Sequence, residues 1–222
     1  MGGGNKFMEI LTDLQEKVLA IFFSVQELKQ HFYLTGGTAL SVFYLKHRLS
    51  DDLDLFTHSA DMDVAARIFE DALRTARIKF AKENSSPTFR RYRIEGSLQV
   101  DLVRDVDFHA GSPQLIGDFM VDSPLNIAVN KVLAIYGRLD PKDYVDLYFL
   151  KPYLNFNILE LIKLAQNKDA GLEPFQWAKV LLDADSVTVL PRMLAPLTLT
   201  DLKTFFRELR TLVLASLKSS AY

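Results

Sequence analysis

Asp52 and Asp54 stand two residues apart in the alternating segment Asp52-Leu53-Asp54-Leu55-Phe56. Such alternation predicts a half-buried strand with Asp52, Asp54 and Phe56 on one face and Leu53 and Leu55 on the other. Carboxylates sharing a strand face can grip the same hard cations, and two Mg²⁺ ions about 3.5–4 Å apart stabilise both the attacking and the leaving oxygen of a phosphoryl transfer. Mn²⁺ is a workable substitute. Asp101, in a later segment that also reads as a strand, fits as the third carboxylate, holding the metal that lowers the pKa of the attacking hydroxyl. The plain alternative is a solvated strand edge.

Upstream lies Gly36-Gly37-Thr38, between a short apolar stretch and a helix-prone segment, residues 39–46. Glycines before a helix let backbone N–H groups approach an anion, and the helix start adds partial positive charge. Gly36, Gly37 and the Thr38 hydroxyl are thus placed to hold the triphosphate of a nucleotide; alone, the turn would be structural.

A second cluster follows Ser123. Lys131 and Arg138 are seven apart and share a helix face, while Asp143 and Asp146 are three apart on the next helix. The short turn Leu139-Asp140-Pro141 would bring those helices side by side. Lys131 and Arg138 could neutralise phosphate, and an aspartate could position the lysine or the nucleotide; the alternative is an interhelical salt bridge. Basic residues also gather at Arg74, Arg77, Lys79, Arg90, Arg91, Arg93 and Arg104, with Phe89 and Tyr92 between them. They read either as a solvated strand face or as a guide for an RNA backbone.

The elements that must position these residues follow from periodicity and turn chemistry. Apolar residues at three- and four-residue spacing from Phe7 to Phe32 predict one amphipathic helix. Strand, glycine turn and helix come next, then the Asp52 strand, a helix over residues 61–74, and strands over 78–82, 89–95 and 98–103. Residues 104–122 read as loop. Ser123-Pro124 and Asp140-Pro141 are helix starts, and the remainder reads as helical, near residues 158–167, 174–182 and 200–218. The expected fold is α+β, a mixed sheet with flanking helices followed by a C-terminal helical region. Its expected parts are an N-terminal helix (1–30) packed on the core, an α/β core (31–122), and a helical domain (123–222) completing the nucleotide site.

Composition narrows the chemistry. The 222 residues are 49% hydrophobic and 24% charged, with 26 Lys+Arg against 28 Asp+Glu and no cysteine. That excludes disordered and collagen-like chains, and it excludes disulfide scaffolds, thiolate zinc sites and cysteine nucleophiles. A net charge of -2 lacks the broad basic field of a nucleic-acid coating protein. The longest apolar run, residues 18–25, is far short of the roughly 20 residues that span a bilayer, so no membrane partner is expected and the cytoplasm is the default location. The opening Met1-Gly-Gly-Gly reads as a flexible start or a cloning remnant.

Leu34-Thr-Gly-Gly-Thr-Ala-Leu40, then His47-Arg48-x-Ser50-x-Asp52-Leu-Asp54-Leu-Phe56, resembles the AbiEii-type toxin nucleotidyltransferases of type IV toxin–antitoxin systems, within the DNA polymerase β-like superfamily. The stretch from Asn126-Ile-Ala-Val-Asn-Lys131 to Arg138, followed by Lys142-Asp143-x-x-Asp146-Leu147, resembles that family's second block of motifs. The resemblance implies transfer of an NMP from an NTP to an acceptor hydroxyl with release of pyrophosphate, most simply onto RNA at the tRNA 3′ end, as a toxin. It implies a cognate antitoxin or a transcriptional regulator as partner. It assigns metals to Asp52 and Asp54, phosphates to Gly37, Thr38 and Lys131, and the last acidic role to Asp143 or Asp146. Arg48 and Ser50 join the nucleotide-binding set, Ser50 either touching phosphate or accepting modification during silencing. The alternatives are transfer to a small molecule or a protein hydroxyl, and a catalytically silent nucleotide- or partner-binding module.

Overall fold

The computed structural model describes residues 10–219, which divide into two compact units, one of residues 10–46 with 50–123, the other of 47–49 with 124–219. Phe7 and the glycine-rich start lie outside the described residues.

In the first unit the amphipathic run forms two helices, α1 (Asp13–Ser24) and α2 (Gln26–His31), rather than one. The break is at Val25, whose backbone is extended (φ -86°, ψ 117°) although no proline or glycine is nearby. It lets both flanks bury aromatic residues, with the Phe22 ring against Phe32 at 5.4 Å and against Phe69 at 5.2 Å. Thr12 closes the start of α1 with a reciprocal capping box to Gln15. Strand β1 (Tyr33–Thr35) leads into α3 (Gly36–Ala39), which continues as a π-helical turn, Leu40–Leu45, ended by Lys46 at φ 50°. β2 (Asp52–Thr57) and α4 (Met62–Thr75) follow, with the Asp61 carboxylate capping α4.

Next come β3 (Phe80–Ser86), β4 (Phe89–Ile94) and β5 (Leu98–Arg104). The segment expected to be loop holds a small hairpin, β6 (Gln114–Ile116) and β7 (Phe119–Val121). Three-residue strands are too short to show a period of two, and sheet pairing makes them: β7 lies parallel to β1 through Leu34 and Val121. Among the described residues the seven strands form one mixed sheet in the order β3-β4-β5-β2-β1-β7-β6. One face of its centre is apolar, with Leu34, Leu53, Leu55, Val100 and Leu102 fully buried.

The second unit is helical: α5 (Pro124–Gly137), α6 (Pro141–Leu154), α7 (Ile158–Gln166), α8 (Pro174–Val180) and α9 (Leu199–Ser219). The predicted helix over 174–182 is shorter, passing into a 3-10 turn at Leu181–Ser186. Trp177, fully buried, donates from its indole to the Val132 carbonyl at 3.0 Å, and Tyr144 packs edge-on against Phe206 at 4.9 Å. Residues 47–49 belong here by pairing: the Leu49 N–H donates to Arg192 O, and the His47 carbonyl accepts from the Leu194 and Ala195 N–H groups. Among the described residues no helix is long and apolar enough to cross a membrane.

Candidate active site

The sheet brings the predicted carboxylates together by register. Asp54 on β2 pairs with Asp101 on the parallel strand β5 and with Thr35 on the antiparallel strand β1, while Asp101 pairs in turn with Arg91 on β4. Directly opposed residues project to the same face, so Thr35, Asp54, Asp101 and Arg91 form one row across four strands. Asp52 lies two residues back on that face of β2, whose burial alternates as the sequence predicts.

The glycine turn closes over this row. Gly36 sits at φ +69°, and a Cβ built there would overlap the Asp54 carboxylate, so only glycine lets the backbone pass this close. The Thr38 hydroxyl donates to the Asp52 carbonyl at 2.5 Å, which ties the turn to the acidic strand and gives that hydroxyl proton a partner within the protein. Ser50 donates to Asp52 Oδ1 at 3.2 Å, and the Ser50 carbonyl accepts from the Gln15 side chain at 2.9 Å. Gly36→Ala is therefore expected to cost about 1–2 kcal/mol of stability from the left-handed backbone alone. Transfer should fall further, because Asp54 must move; unfolding midpoints and initial rates on the same preparation check both.

A divalent cation suits the Asp52 and Asp54 pair: hard oxygen donors, one face, and bare backbone at Gly36 beside Asp54. Asp101 is different. Its two oxygens accept from Arg91 Nε at 2.8 Å and Nη2 at 2.7 Å, and its Oδ2 also accepts from Gln99 at 3.2 Å. Among the described residues no three His, Cys, Asp or Glu side chains are grouped to hold a metal. The third carboxylate is adjacent to the pair but engaged by Arg91.

The sequence reading passed over Asp122. It is fully buried, accepting the Thr35 hydroxyl at 2.5 Å and lying 2.9 Å from His109 Nε2. Its N–H donates to Leu34 O at 2.9 Å, and its carbonyl accepts from the Tyr44 hydroxyl at 2.7 Å. One residue thus holds the strand before the glycine turn and the helical turn after it. No local signal marks it, being a single aspartate in a segment that reads as loop.

The second cluster forms within the helical unit. Lys131 Nζ donates to Asp143 Oδ1 and lies 2.7 Å from both that atom and Asp146 Oδ2, and Arg138 Nε donates to Asp143 Oδ2 at 2.8 Å. Arg48, 1% exposed, grips Asp146 through Nε at 2.6 Å and Nη2 at 2.8 Å, and His47 Nε2 meets Asp146 Oδ1 at 2.8 Å. Arg48 and Asp146, predicted in the nucleotide-binding set, are thus interior partners of each other. Arg138 keeps a largely exposed side chain. Three cations face two carboxylates here, a formal excess of one positive charge.

Burial pushes the Asp143 and Asp146 carboxyls up, but Lys131 with Arg138 outweighs it for Asp143, and Lys131 with Arg48 holds Asp146 well below the usual carboxylate range. Burial opposes the Lys131 charge, yet Asp146 and Asp143 raise its pKa above the ordinary lysine value. Burial lowers the His47 pKa more than Asp146 raises it. His47 Nδ1 is buried with no hydrogen-bond partner, which suits a neutral ring donating from Nε2. At His47, Asp143 and Asp146 the unfolded chain therefore binds protons that the folded chain refuses, whereas at Lys131 the folded chain holds the proton more tightly. The network's contribution should be full between about pH 6.5 and about pH 10 and fall as the pH drops below that window, by up to about 1.4 kcal/mol per unit per group, with Asp143 and Asp146 adding to the loss below about pH 4 and the Lys131 contribution lost at alkaline pH. Denaturant unfolding from pH 8 to pH 5 on wild type and His47→Gln checks this: equal profiles would remove His47 from the account.

Of the seven cations in the basic stretch, four have carboxylate partners: Arg74 with Asp71 and Glu70, Arg90 with Asp63, Arg91 with Asp101 and Arg93 with Glu83. Arg91 and Arg93 are thus neutralised on the sheet, Arg74 on α4, and Arg90 is buried.

A mixed sheet bearing a glycine turn against paired aspartates on β2, with a third on the parallel neighbour, defines a nucleotidyltransferase core. The chain belongs to the AbiEii family: the model for the nucleotidyl transferase AbiEii toxin of type IV toxin–antitoxin systems matches residues 17–210. Protein aq_aa25 of Aquifex aeolicus is 29% identical over 150 residues, covering 64% of this chain and 68% of that protein. The fold is shared with a Helicobacter pylori protein assigned as a nucleotidyltransferase (19% identity, 94% of this chain and 98% of that one, TM-score 0.60). It is shared also with MenT4, a nucleotidyltransferase toxin of Mycobacterium tuberculosis (16% identity, 91% and 82%, TM-score 0.54).

Proposed function

We propose that this nucleotidyltransferase moves an NMP from an NTP to a hydroxyl of RNA, at the tRNA 3′ end, and acts as a toxin restrained by a cognate antitoxin or regulator. The observation that supports this reading is the packing of the bare Gly36 backbone against the Asp54 carboxylate, two residues from Asp52, an arrangement suited to a phosphate beside a hard cation. Asp52 and Asp54 would hold Mg²⁺, which when bound supplies charge neutralisation at the reacting phosphate. The Gly36 and Gly37 backbone would receive the triphosphate, with Thr38 fixing the turn to β2 and Ser50 steadying Asp52. Lys131 and Arg138 would meet nucleotide phosphates, with Asp143 holding both cations, and Arg48 and Asp146 would set the Lys131 position from within. NTPs and tRNA are both cytoplasmic, which fits that location.

The test is incubation with each α-labelled NTP, Mg²⁺ and total tRNA. Label on tRNA that can be removed with its 3′-terminal nucleotide supports the reading. Label on a protein or a metabolite instead would replace the acceptor, and nucleotide binding with no transfer to any acceptor would leave a silent binding module.

A further inference from the structure

The strand register sets a cation against the carboxylate that the metal reading needs. Arg91 and Asp101 are directly opposed on β4 and β5, and the fork of Arg91 takes both Asp101 oxygens. The Asp101 side chain is 8% exposed and that of Arg91 37%, so the guanidinium has a way out to solvent that the carboxylate lacks. The Phe89 ring, 5.3 Å from the Arg91 guanidinium carbon, offers a face on which the cation can rest. Asp54 also lies within electrostatic reach of Arg91. Three carboxylates on neighbouring positions repel one another, and Arg91 offsets one of their charges.

We propose that Arg91 is a resident counter-ion that competes with a divalent cation for Asp101, and so sets the cation concentration at which this site fills. Arg93, on the same strand face two residues on, is paired to Glu83 instead, which makes it the natural control. The inference rests on the metal reading of Asp52 and Asp54 given above.

The experiment measures Mn²⁺ affinity of the full chain, without nucleotide, by proton relaxation enhancement for wild type, Arg91→Met, Arg91→Lys, Arg93→Met and Asp52→Asn. Arg91→Met should bind Mn²⁺ about tenfold or more tightly than wild type, Arg91→Lys should fall between, and Arg93→Met should match wild type. On wild type labelled with ¹⁵N, Mg²⁺ should shift the Arg91 Nε resonance and leave that of Arg93 in place, a readout that needs no variant to fold. Binding lost in Asp52→Asn, with Arg91→Met no tighter than wild type and the Arg91 resonance unmoved, overturns the counter-ion role alone. Asp52→Asn binding as well as wild type overturns the metal reading and the inference together.

Discussion

Asp54→Asn is expected to lower nucleotidyl transfer about 10³-fold while leaving the fold intact. The substitution keeps side-chain volume and a carbonyl oxygen, so the crowded contact with Gly36 is preserved. It removes one of two negative charges on the face proposed to hold the metal, and charge stabilisation of this kind is worth several kcal/mol at the transition state. Because Asp54 lies in the middle of the row from Thr35 to Arg91, no neighbour on β2 can take its place. Single-turnover rates at saturating Mg²⁺ and NTP, alongside circular dichroism melting, separate the two effects. Transfer within tenfold of wild type would rule Asp54 out as a metal ligand.

The site was legible where local period and local turns carry it. Asp52 and Asp54 share a face because the alternation from Asp52 to Phe56 admits no other strand register with Leu53 and Leu55 buried. The Arg91–Asp101 pair was also within reach: a hairpin turning about Gly96 sets residue 91 opposite 101, as it sets 94 opposite 98. What local sequence could not carry is contact across long separations. Thr35 and Asp122 meet over 87 residues with nothing near either to mark it, and the break at Val25 answers to aromatic packing rather than to any breaker residue. The interior place of Arg48 was hidden for a general reason. An arginine in a motif is ordinarily a surface cation, and only the burial of Asp146 makes it an interior one.

That interior network makes Asp146→Leu the substitution with the largest expected cost to stability, about 3–5 kcal/mol. Asp146 is fully buried and is met by Arg48, Lys131 and His47. Leucine fills a similar volume but leaves Arg48 without its carboxylate partner in the interior, and Lys131 with Asp143 only. The cost follows from asymmetry: replacing a whole buried ion group by apolar residues is often neutral, whereas removing one member strands the charge of the others. Asp185, paired with Arg207 through side chains 41% and 63% exposed, is the matched surface case. Asp185→Asn should change stability by no more than about 0.5 kcal/mol. Residues 47–49 join the helical unit and lead directly along the chain to Ser50 and Asp52, so the loss at Asp146 should reach catalysis as well. In folded Asp146→Leu protein at low temperature, a fall in transfer with unchanged Mn²⁺ affinity would place the damage at Lys131 and segment 47–49, and a stability loss below about 1 kcal/mol would remove Asp146 as the centre of the network.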